Sequence, residues 1–291
     1  MFSSFHKRRV RVFDSYISYI DTRAGEHTFI LLHGNVASNY IWRGVIPRIH
    51  GYGRCLAPDL LGMGNSGVNP TNEYGYEEQF RYINEWMKAV ISDKERVIFV
   101  GFEWGAALAF RWAHLNPTKV LGVVFIEGIF APIRNLEDIN SKLIQNLYIT
   151  VQKHLAKSRQ IKEGSEDPLA KEFKMAVSQL LAIWAPDNGL NNLYGQHAII
   201  DLFRDLPIKS RAPHDVTKTM QEVNGFMGKM DIPKLLIEAD EGVYSAIASD
   251  QTRYWRNLRT ATVTSRAIPP ESCPTEIAEL IVSFLKSVKQ K

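Results

Sequence analysis

The sequence predicts an α/β fold in which a mostly parallel central sheet is flanked by helices and carries an inserted helical cap. Apolar runs such as FILLHG (29–34) and VLGVVFIEG (120–128) are continuous and do not alternate, as expected of parallel strands buried on both faces. Amphipathic segments of helical length separate these runs, and strands that alternate with helices form parallel sheets through right-handed crossovers. A long polar, helical stretch between two later strands predicts the cap.

The first half of the chain contains five elements in order. Residues 9–21 alternate around FDS and predict an antiparallel hairpin at a sheet edge. The strand at 29–34 follows, and CLAPDLLGMGNSG (55–67) is a short strand with a glycine-rich loop behind it. EEQFRYINEWMKAVI (77–91) has apolar residues at helical spacing, and RVIFVG (96–101) is the next strand.

The second half of the chain continues the sheet after an interruption. The strand at 120–128 follows a helix that stops at an Asn-Pro pair. Strand character returns with PKLLIEAD (233–240) and TATVTS (260–265), and a last amphipathic helix covers 275–288.

The intervening segment, 132–227, consists of helical stretches rich in Lys, Gln, Asn and Asp and has no strand-like run. We therefore expect residues 1–131 and 228–291 to form the α/β core and 132–227 to form a helical cap. Ligands of open α/β sheets bind at the carboxyl ends of the strands, so we expect the cap to cover that edge.

Composition narrows the classes of function. Hydrophobic residues make up 45% and charged residues 23%, an ordinary balance for a globular protein, and the net charge is only +4. The one dense basic run, at residues 6–9, is short, so we expect no nucleic-acid partner. No apolar run has the length of a signal peptide core or a membrane span. Two distant cysteines, Cys55 and Cys273, indicate a reducing compartment, so we expect a cytoplasmic protein without a membrane partner.

The stretch VIFVGFEWGAALAF (97–110) is the most informative motif. An apolar strand runs into Gly-x-Glu-x-Gly and then into a helix, which is the pattern of a nucleophile elbow. Such an elbow holds one side chain exposed at the sheet edge. Glu103 occupies the position where Ser, Cys or Asp is expected.

Three further stretches fall at the same edge as the elbow. They are HGN (33–35), IEG (126–128) and APDLLGMGNSG (57–67). Together with FEWG (102–105), they make the chain resemble the haloalkane dehalogenase branch of the α/β-hydrolase superfamily, and especially its Renilla-type coelenterazine luciferases. The resemblance extends over nearly the whole chain, including YIWRGVIPRI and LAFRWAHLNP, and is weakest in the cap.

The resemblance implies a role for each of four residues. Glu103 matches the aspartate nucleophile of the family, and Asn35 matches its halide-binding asparagine. Trp104 matches the tryptophan after the nucleophile, whose indole N–H also points into the pocket. Glu127 matches the acid that orients the catalytic histidine. The backbone N–H groups of Asn35 and Trp104 would form the oxyanion hole.

Two departures from the family pattern change the expected chemistry. Glu103 is one methylene longer than aspartate, and a misplacement of about 1 Å can cost about 10²-fold in rate. The catalytic histidine of the family should lie after the last strand, where this chain has Ala267, and no histidine follows His214. In that family the histidine activates the water that hydrolyses the ester intermediate. We therefore expect no hydrolytic turnover.

The residues favour acid–base chemistry instead. A carboxylate in an apolar pocket is costly unless paired, so the pKa of Glu103 should rise towards neutrality. We expect a cofactor-independent enzyme in which Glu103, assisted by Glu127 and by the donors Asn35 and Trp104, transfers protons on a hydrophobic small molecule. Cyclisation, isomerisation and epoxide opening all suit such a site, and a place in secondary metabolism is an analogy.

Several alternatives stay open. The chain is a hydrolase or dehalogenase with a Glu nucleophile if a histidine of the cap, His154, His197 or His214, serves as the base. It is a binding protein for an apolar ligand if the site has lost its activity. A luciferase-like monooxygenase is disfavoured because that chemistry also places a histidine in the pocket. Glu127, for its part, is a structural residue if backbone donors hold it.

Overall fold

A computed structural model of the chain describes residues 5–23, 25–158, 175, 195–209, 211–265 and 268–289. Within them, eight strands form one sheet in the order β1-β2-β4-β3-β5-β6-β7-β8, in which β1, β2 and β4 pair antiparallel and all other neighbours pair parallel. The strands are β1 (Lys7–Val12), β2 (Ser15–Asp21), β3 (Thr28–Leu32), β4 (Arg54–Pro58), β5 (Val97–Phe102), β6 (Val120–Ile126), β7 (Lys234–Ala239) and β8 (Leu258–Val263).

Helices cover the sheet, and the predicted fold class is confirmed. The helices are α1 (Ile46–Ile49), α2 (Tyr76–Val90), α3 (Trp104–Leu115), α4 (Lys142–Ser158), α5 (Gly195–Arg204), α6 (His214–Lys229), α7 (Ser245–Thr252), α8 (Pro269–Ser272) and α9 (Pro274–Lys289), with short 3₁₀ turns at Asn39–Arg43, Pro117–Lys119 and Leu136–Asp138. Among the described residues, no helix has the length and apolarity needed to cross a membrane.

The burial of each strand follows its place in the sheet. Every residue of β3 and β5 is buried, because helices cover both faces of the central strands. β1 lies at the edge and alternates between exposed and half-buried residues along most of its length. The apolar runs of the sequence therefore mark the centre of the sheet, and the alternating hairpin marks its rim.

The elbow between β5 and α3 has a strained backbone. Glu103 has φ 51° and ψ −116°, outside the conformations that a side chain with a Cβ ordinarily adopts. Glycines make the turn sterically possible. A Cβ on Gly101 would lie 2.5 Å from Cα of Ala106, and a Cβ on Gly105 would collide with the carbonyl oxygen of Leu32. The Gly-x-Glu-x-Gly pattern thus reflects the close packing of α3 against β3 and β5.

Helix α5 is fixed to the core at its C-terminal end. Asp201 Oδ2 accepts a hydrogen bond from the backbone N–H of Tyr74 (2.8 Å), and Asp205 Oδ2 accepts one from Tyr76 (2.8 Å). Arg204 bridges the two carboxylates, at 3.0 Å from Asp201 and 2.7 Å from Asp205. This clamp of Asp201, Arg204 and Asp205 holds α5 against the start of α2.

The predicted cap segment divides into two parts in the structure. Helices α4 and α5 pack against each other. Helix α6, which begins at His214, instead packs on α3 of the core; its Phe226 ring lies 4.5 Å from that of His114, and its Asn224 accepts a hydrogen bond from the Trp255 indole (3.0 Å). The sequence placed the end of the cap at residue 227; from the packing of α6 on α3 we propose that the cap ends before α6. Residues 159–174 and 176–194 of the predicted cap lie outside the described residues.

Gly105→Ala should lower the free energy of unfolding by about 2 kcal/mol, because the added methyl meets the carbonyl oxygen of Leu32 in a packed core. Gly225→Ala is the matched control. Gly225 is exposed in α6, and a Cβ there meets no heavy atom within 4 Å, so the change should raise stability by about 0.5–1 kcal/mol. Denaturant unfolding of both variants measures the difference. Equal effects at the two positions would contradict this account of the elbow.

Candidate functional site

The side chain of Glu103 is buried at the carboxyl end of β5, with 3% of its surface exposed. Its Oε2 accepts a hydrogen bond from the backbone N–H of Asn35 at 2.6 Å. Gly34 makes this approach possible, since a Cβ at that position would collide with Oε2. The carboxyl group therefore folds against the HGN loop and occupies one of the two backbone donors expected to form the oxyanion hole.

The environment of Glu103 favours its neutral form. Burial raises its pKa to about 8, the negative charge of Glu127 pushes the pKa in the same direction, and the hydrogen bond from Asn35 opposes them. The carboxyl group is consequently mostly protonated at pH 7. The sequence-based expectation of a raised pKa at this position agrees with the structure in direction and cause.

The side chain of Asn35 connects the HGN loop to the segment above it. Its Nδ2 donates to the carbonyl oxygen of Ile199 in α5 (3.3 Å), and its Oδ1 accepts from the backbone N–H of Val36 (2.9 Å). Asn35 is 1% exposed. The resemblance implied that the side-chain amide of Asn35 donates a hydrogen bond to a bound ligand. In the structure, one N–H of that amide donates to the backbone of α5 instead.

Trp104 is the first residue of α3 and is also buried. Its indole ring lies 5.6 Å from the ring of Tyr76 at an interplanar angle of 39°. Its backbone N–H belongs to the first turn of the helix, where N–H groups have no partner within the helix. Trp104 therefore brings both an aromatic wall and a backbone donor to the region of Glu103.

Glu127 is held by the start of α7. Its carboxylate accepts hydrogen bonds from the backbone N–H of Tyr244 and from the hydroxyl of Ser245, and that hydroxyl accepts one from the backbone N–H of Ala239 (2.8 Å). Burial raises the pKa of Glu127, and these hydrogen bonds oppose the rise. The arrangement fits the structural alternative for Glu127, since its oxygens fix the loop between β7 and α7.

The structure brings the four predicted site residues to one edge of the sheet. Glu103 and Glu127 follow the adjacent parallel strands β5 and β6, and the backbone N–H of Glu103 donates to Ile126 at 3.0 Å. Glu103, Glu127 and Val36 all have positive φ values, of 51°, 52° and 53°. Strained backbone therefore clusters around this edge, as it does at many functional sites.

Two buried residues, His33 and Asp59, fix the loops that follow β3 and β4. His33 donates from Nδ1 to the carbonyl oxygen of Gly34 (2.8 Å) and accepts at Nε2 from the backbone N–H of Leu60 (2.9 Å). Burial lowers its pKa to about 4, so the ring is neutral, and its two hydrogen bonds give it a structural role. Asp59, which sequence reasoning did not single out, accepts from the backbone N–H groups of Asn39 (2.7 Å) and Asn65 (2.9 Å).

Comparison with known proteins identifies the family. A family model described as the α/β hydrolase fold matches residues 27–162. A haloalkane dehalogenase of Mesorhizobium japonicum is 30% identical over 81% of this chain and 76% of its own length. The chain belongs to the haloalkane dehalogenase-like family of α/β hydrolases. The resemblance to this family is thereby confirmed.

Other relatives of this dehalogenase-like chain cover it almost completely. The coelenterazine h 2-monooxygenase of Renilla reniformis is 27% identical over 97% of this chain and 91% of its own length. The structure of a haloalkane dehalogenase of Agrobacterium tumefaciens C58 is 26% identical, covers 97% of each chain and gives a TM-score of 0.72. An ancestral haloalkane dehalogenase, 24% identical, shares the fold with a TM-score of 0.78 over 98% of this chain and all of its own. The relatives are enzymes that act on small molecules.

The hydrolase alternative requires a histidine of the cap as its base. His197 and His214 are exposed, and the side chain of His154 lies outside the description, as does Ala267. Asp240 follows β7, and its Oδ1 accepts from the backbone N–H groups of Glu241 (2.9 Å) and Ser265 (2.8 Å), so it joins the residues after β7 to those after β8.

Sequence reasoning missed Tyr244. This residue precedes α7, its backbone N–H binds Glu127, and its ring is 2% exposed. It lies five residues after the predicted strand LLIEA, in a segment to which the sequence assigned no function. Its contact with the site depends on the loop geometry, which periodicity does not reveal.

Glu103 should titrate near pH 8. Infrared spectroscopy would show this as the loss of a protonated carboxyl band as pH rises through that value. The same band should be absent from Glu103→Gln. Between the ordinary value of 4.5 and about 8, the folded chain keeps this proton while the unfolded chain releases it. The contribution of Glu103 to the free energy of unfolding therefore falls as pH rises across that window, by up to about 1.4 kcal/mol per pH unit.

Glu103→Gln should remove that contribution, so the variant gains stability relative to the wild type as pH rises from 5 to 8. Denaturant unfolding at several pH values measures the gain. A constant difference between the two proteins over this range, together with titration near 4.5, would contradict the buried neutral carboxyl.

Proposed function

We propose that the chain is a cofactor-independent, non-hydrolytic enzyme in which Glu103 acts as a general acid on a hydrophobic small molecule. The observation that carries the proposal is the buried, mostly protonated carboxyl of Glu103 at the elbow of a dehalogenase-like fold. A general acid is most effective when its pKa lies near the working pH, and about 8 meets that condition.

The same state weakens Glu103 as a nucleophile. A neutral carboxyl is a poor attacking group, and its Oε2 is already bound to the N–H of Asn35. That N–H is also a donor that an ester intermediate would need for its oxyanion. The Glu103 side chain thus fills space, and binds a backbone donor, that the family's reaction would need for the substrate.

Proton donation leaves an anion that the site is built to hold. After Glu103 transfers its proton, the N–H of Asn35 and the N-terminal turn of α3 stabilise the carboxylate. In an isomerisation, the same carboxylate then removes a proton from a neighbouring carbon, so the enzyme returns to its starting state without a cofactor. In epoxide opening, the proton of Glu103 goes to the oxygen while the C–O bond breaks. A hydroxyl group of the substrate attacks the carbon and gives its own proton to the Glu103 carboxylate, which restores the acid.

Glu127 acts in this scheme as a positioning residue. Its carboxylate holds Tyr244 and Ser245 at the start of α7, and its charge raises the pKa of Glu103. The buried aromatic rings of Trp104 and Tyr76, together with α5 above Asn35, support an apolar substrate.

The dehalogenase relatives favour one second candidate, a hydrolase in which Glu103 forms an ester and a histidine of the cap activates water. The two functions differ in what happens to a haloalkane. Because Ala267 stands where the family has its catalytic histidine, the chain should release at most about one equivalent of halide from short 1-bromoalkanes, as measured by halide release against chain concentration. Sustained release that His197→Gln abolishes would overturn the non-hydrolytic function.

Turnover of an apolar epoxide or a strained alkene should fall as pH rises through about 8, because the acid form of Glu103 is lost there. Glu103→Gln should lower kcat/KM by at least about 10²-fold, whereas Glu222→Gln, an exposed change in α6, should leave it unaltered. A screen of such compounds by product chromatography provides the rates. Binding that survives in Glu103→Gln without turnover in either protein would identify a binding protein instead.

A further inference from the structure

Tyr244 carries a hydroxyl group that the described part of the chain leaves without a hydrogen-bond partner. The side chain is 2% exposed, and its oxygen is shielded from solvent. Buried polar groups in proteins are almost always paired, because an unpaired one loses its hydration without compensation. A phenylalanine would fill the same space without this cost, so the hydroxyl is expected to have a function.

The position of Tyr244 relates it to both glutamates. Its backbone N–H binds the carboxylate of Glu127, which fixes the start of α7 against the end of β6. Burial raises the pKa of the Tyr244 phenol well above its ordinary value, and the charges of Glu103 and Glu127 both add to the rise. Glu127 and Glu103 follow the adjacent strands β6 and β5, so Tyr244 lies at the same sheet edge as both carboxyl groups. The raised pKa keeps the phenol protonated, and it therefore remains a hydrogen-bond donor.

Neither neighbouring carboxyl accepts the hydroxyl. Glu127 is engaged by the backbone N–H of Tyr244 and by Ser245, and Glu103 by the backbone N–H of Asn35. The phenol of Tyr244 is thus a buried donor at the same sheet edge as Glu103, with no acceptor among the described residues.

We propose that the hydroxyl of Tyr244 is a catalytic donor that binds one oxygen atom of the substrate, which also takes the proton of Glu103. The substrate class that fits is an apolar molecule with a single two-lone-pair oxygen, such as a ketone, an epoxide or an ether. Tyr244 holds the oxygen by one lone pair while Glu103 shares its proton with the other. This assignment deepens the proposed function and rests on it.

A matched pair of probes tests the assignment. Acetophenone and α-methylstyrene have nearly the same shape, but only acetophenone carries an oxygen acceptor. Their dissociation constants are to be measured by tryptophan fluorescence in the wild type, in Tyr244→Phe and in Tyr82→Phe. The control residue, Tyr82, is a buried tyrosine of α2 whose hydroxyl donates to Asp14 in the β1–β2 hairpin.

The wild type should prefer acetophenone, and Tyr244→Phe should reduce that preference about tenfold while leaving the affinity for α-methylstyrene unchanged. Tyr82→Phe should alter neither affinity. The carbonyl stretch of bound ¹³C-acetophenone should lie at lower frequency in the wild type than in Tyr244→Phe, because a donor weakens the C=O bond. Without ligand, Tyr244→Phe should have an equal or higher Tm, whereas loss of a structural hydrogen bond would lower it.

The variants also separate this assignment from the proposed function. Loss of the ketone preference in Glu103→Gln but not in Tyr244→Phe would overturn the role of Tyr244 and leave the acid in place. Loss in Tyr244→Phe alone would retain Tyr244 and overturn the role of Glu103 at that oxygen. A wild type that binds no acetophenone at millimolar concentration, or that shows no preference for it, would overturn the assignment of Tyr244.

Discussion

The hydrogen bond from the backbone N–H of Asn35 to Glu103 is the interaction on which the site depends. It joins the loop after β3 to the elbow after β5, across two strands that pair directly in the sheet. Gly34 must lack a side chain for the carboxyl to reach the N–H, and Gly101 and Gly105 must lack one for the elbow to turn. Three glycines and a strained glutamate backbone thus determine the position of the mostly neutral carboxyl group of Glu103.

The extra methylene of Glu103 has a definite structural outcome. The carboxyl bends back to an oxyanion-hole donor, where burial outweighs the hydrogen bond and leaves the group mostly protonated. A side chain that matches a nucleophile by position therefore has the protonation state of an acid. Glu127 raises the pKa of Glu103 through its charge and holds the start of α7 by hydrogen bonds. The two carboxyl groups therefore have different roles although they follow adjacent strands.

Local pattern was enough to predict the sheet, the elbow and the edge at which the four site residues meet. The continuous apolar runs of β3, β5 and β6 identify buried parallel strands, and predicted strand and helix ends differ from the structure by no more than two residues. The raised pKa of Glu103 could also be predicted, because the elbow position implies burial and burial raises the pKa of a carboxyl group. Three features could not be predicted: the partners of Glu127, the amide contact of Asn35 with α5 and the position of Tyr244. Each depends on loops that the fold brings together over long sequence distances. The packing of α6 on α3 was missed because an amphipathic helix does not reveal which surface its apolar face covers.

The clamp of Asp201, Arg204 and Asp205 constrains how α5 can move relative to the site. It grips the C-terminal end of α5, whereas Asn35 touches the helix nearer its middle, at Ile199, through a single 3.3 Å hydrogen bond. A swing of α5 would therefore pivot on its clamped end. The helix is about 15 Å long, so a rotation of about 20° would carry its Gly195 end about 5 Å and break the contact with Asn35. The contact between α5 and Asn35 is therefore the part of this junction that depends on the free end of the helix, whereas the hydrogen bond between Asn35 and Glu103 does not involve α5.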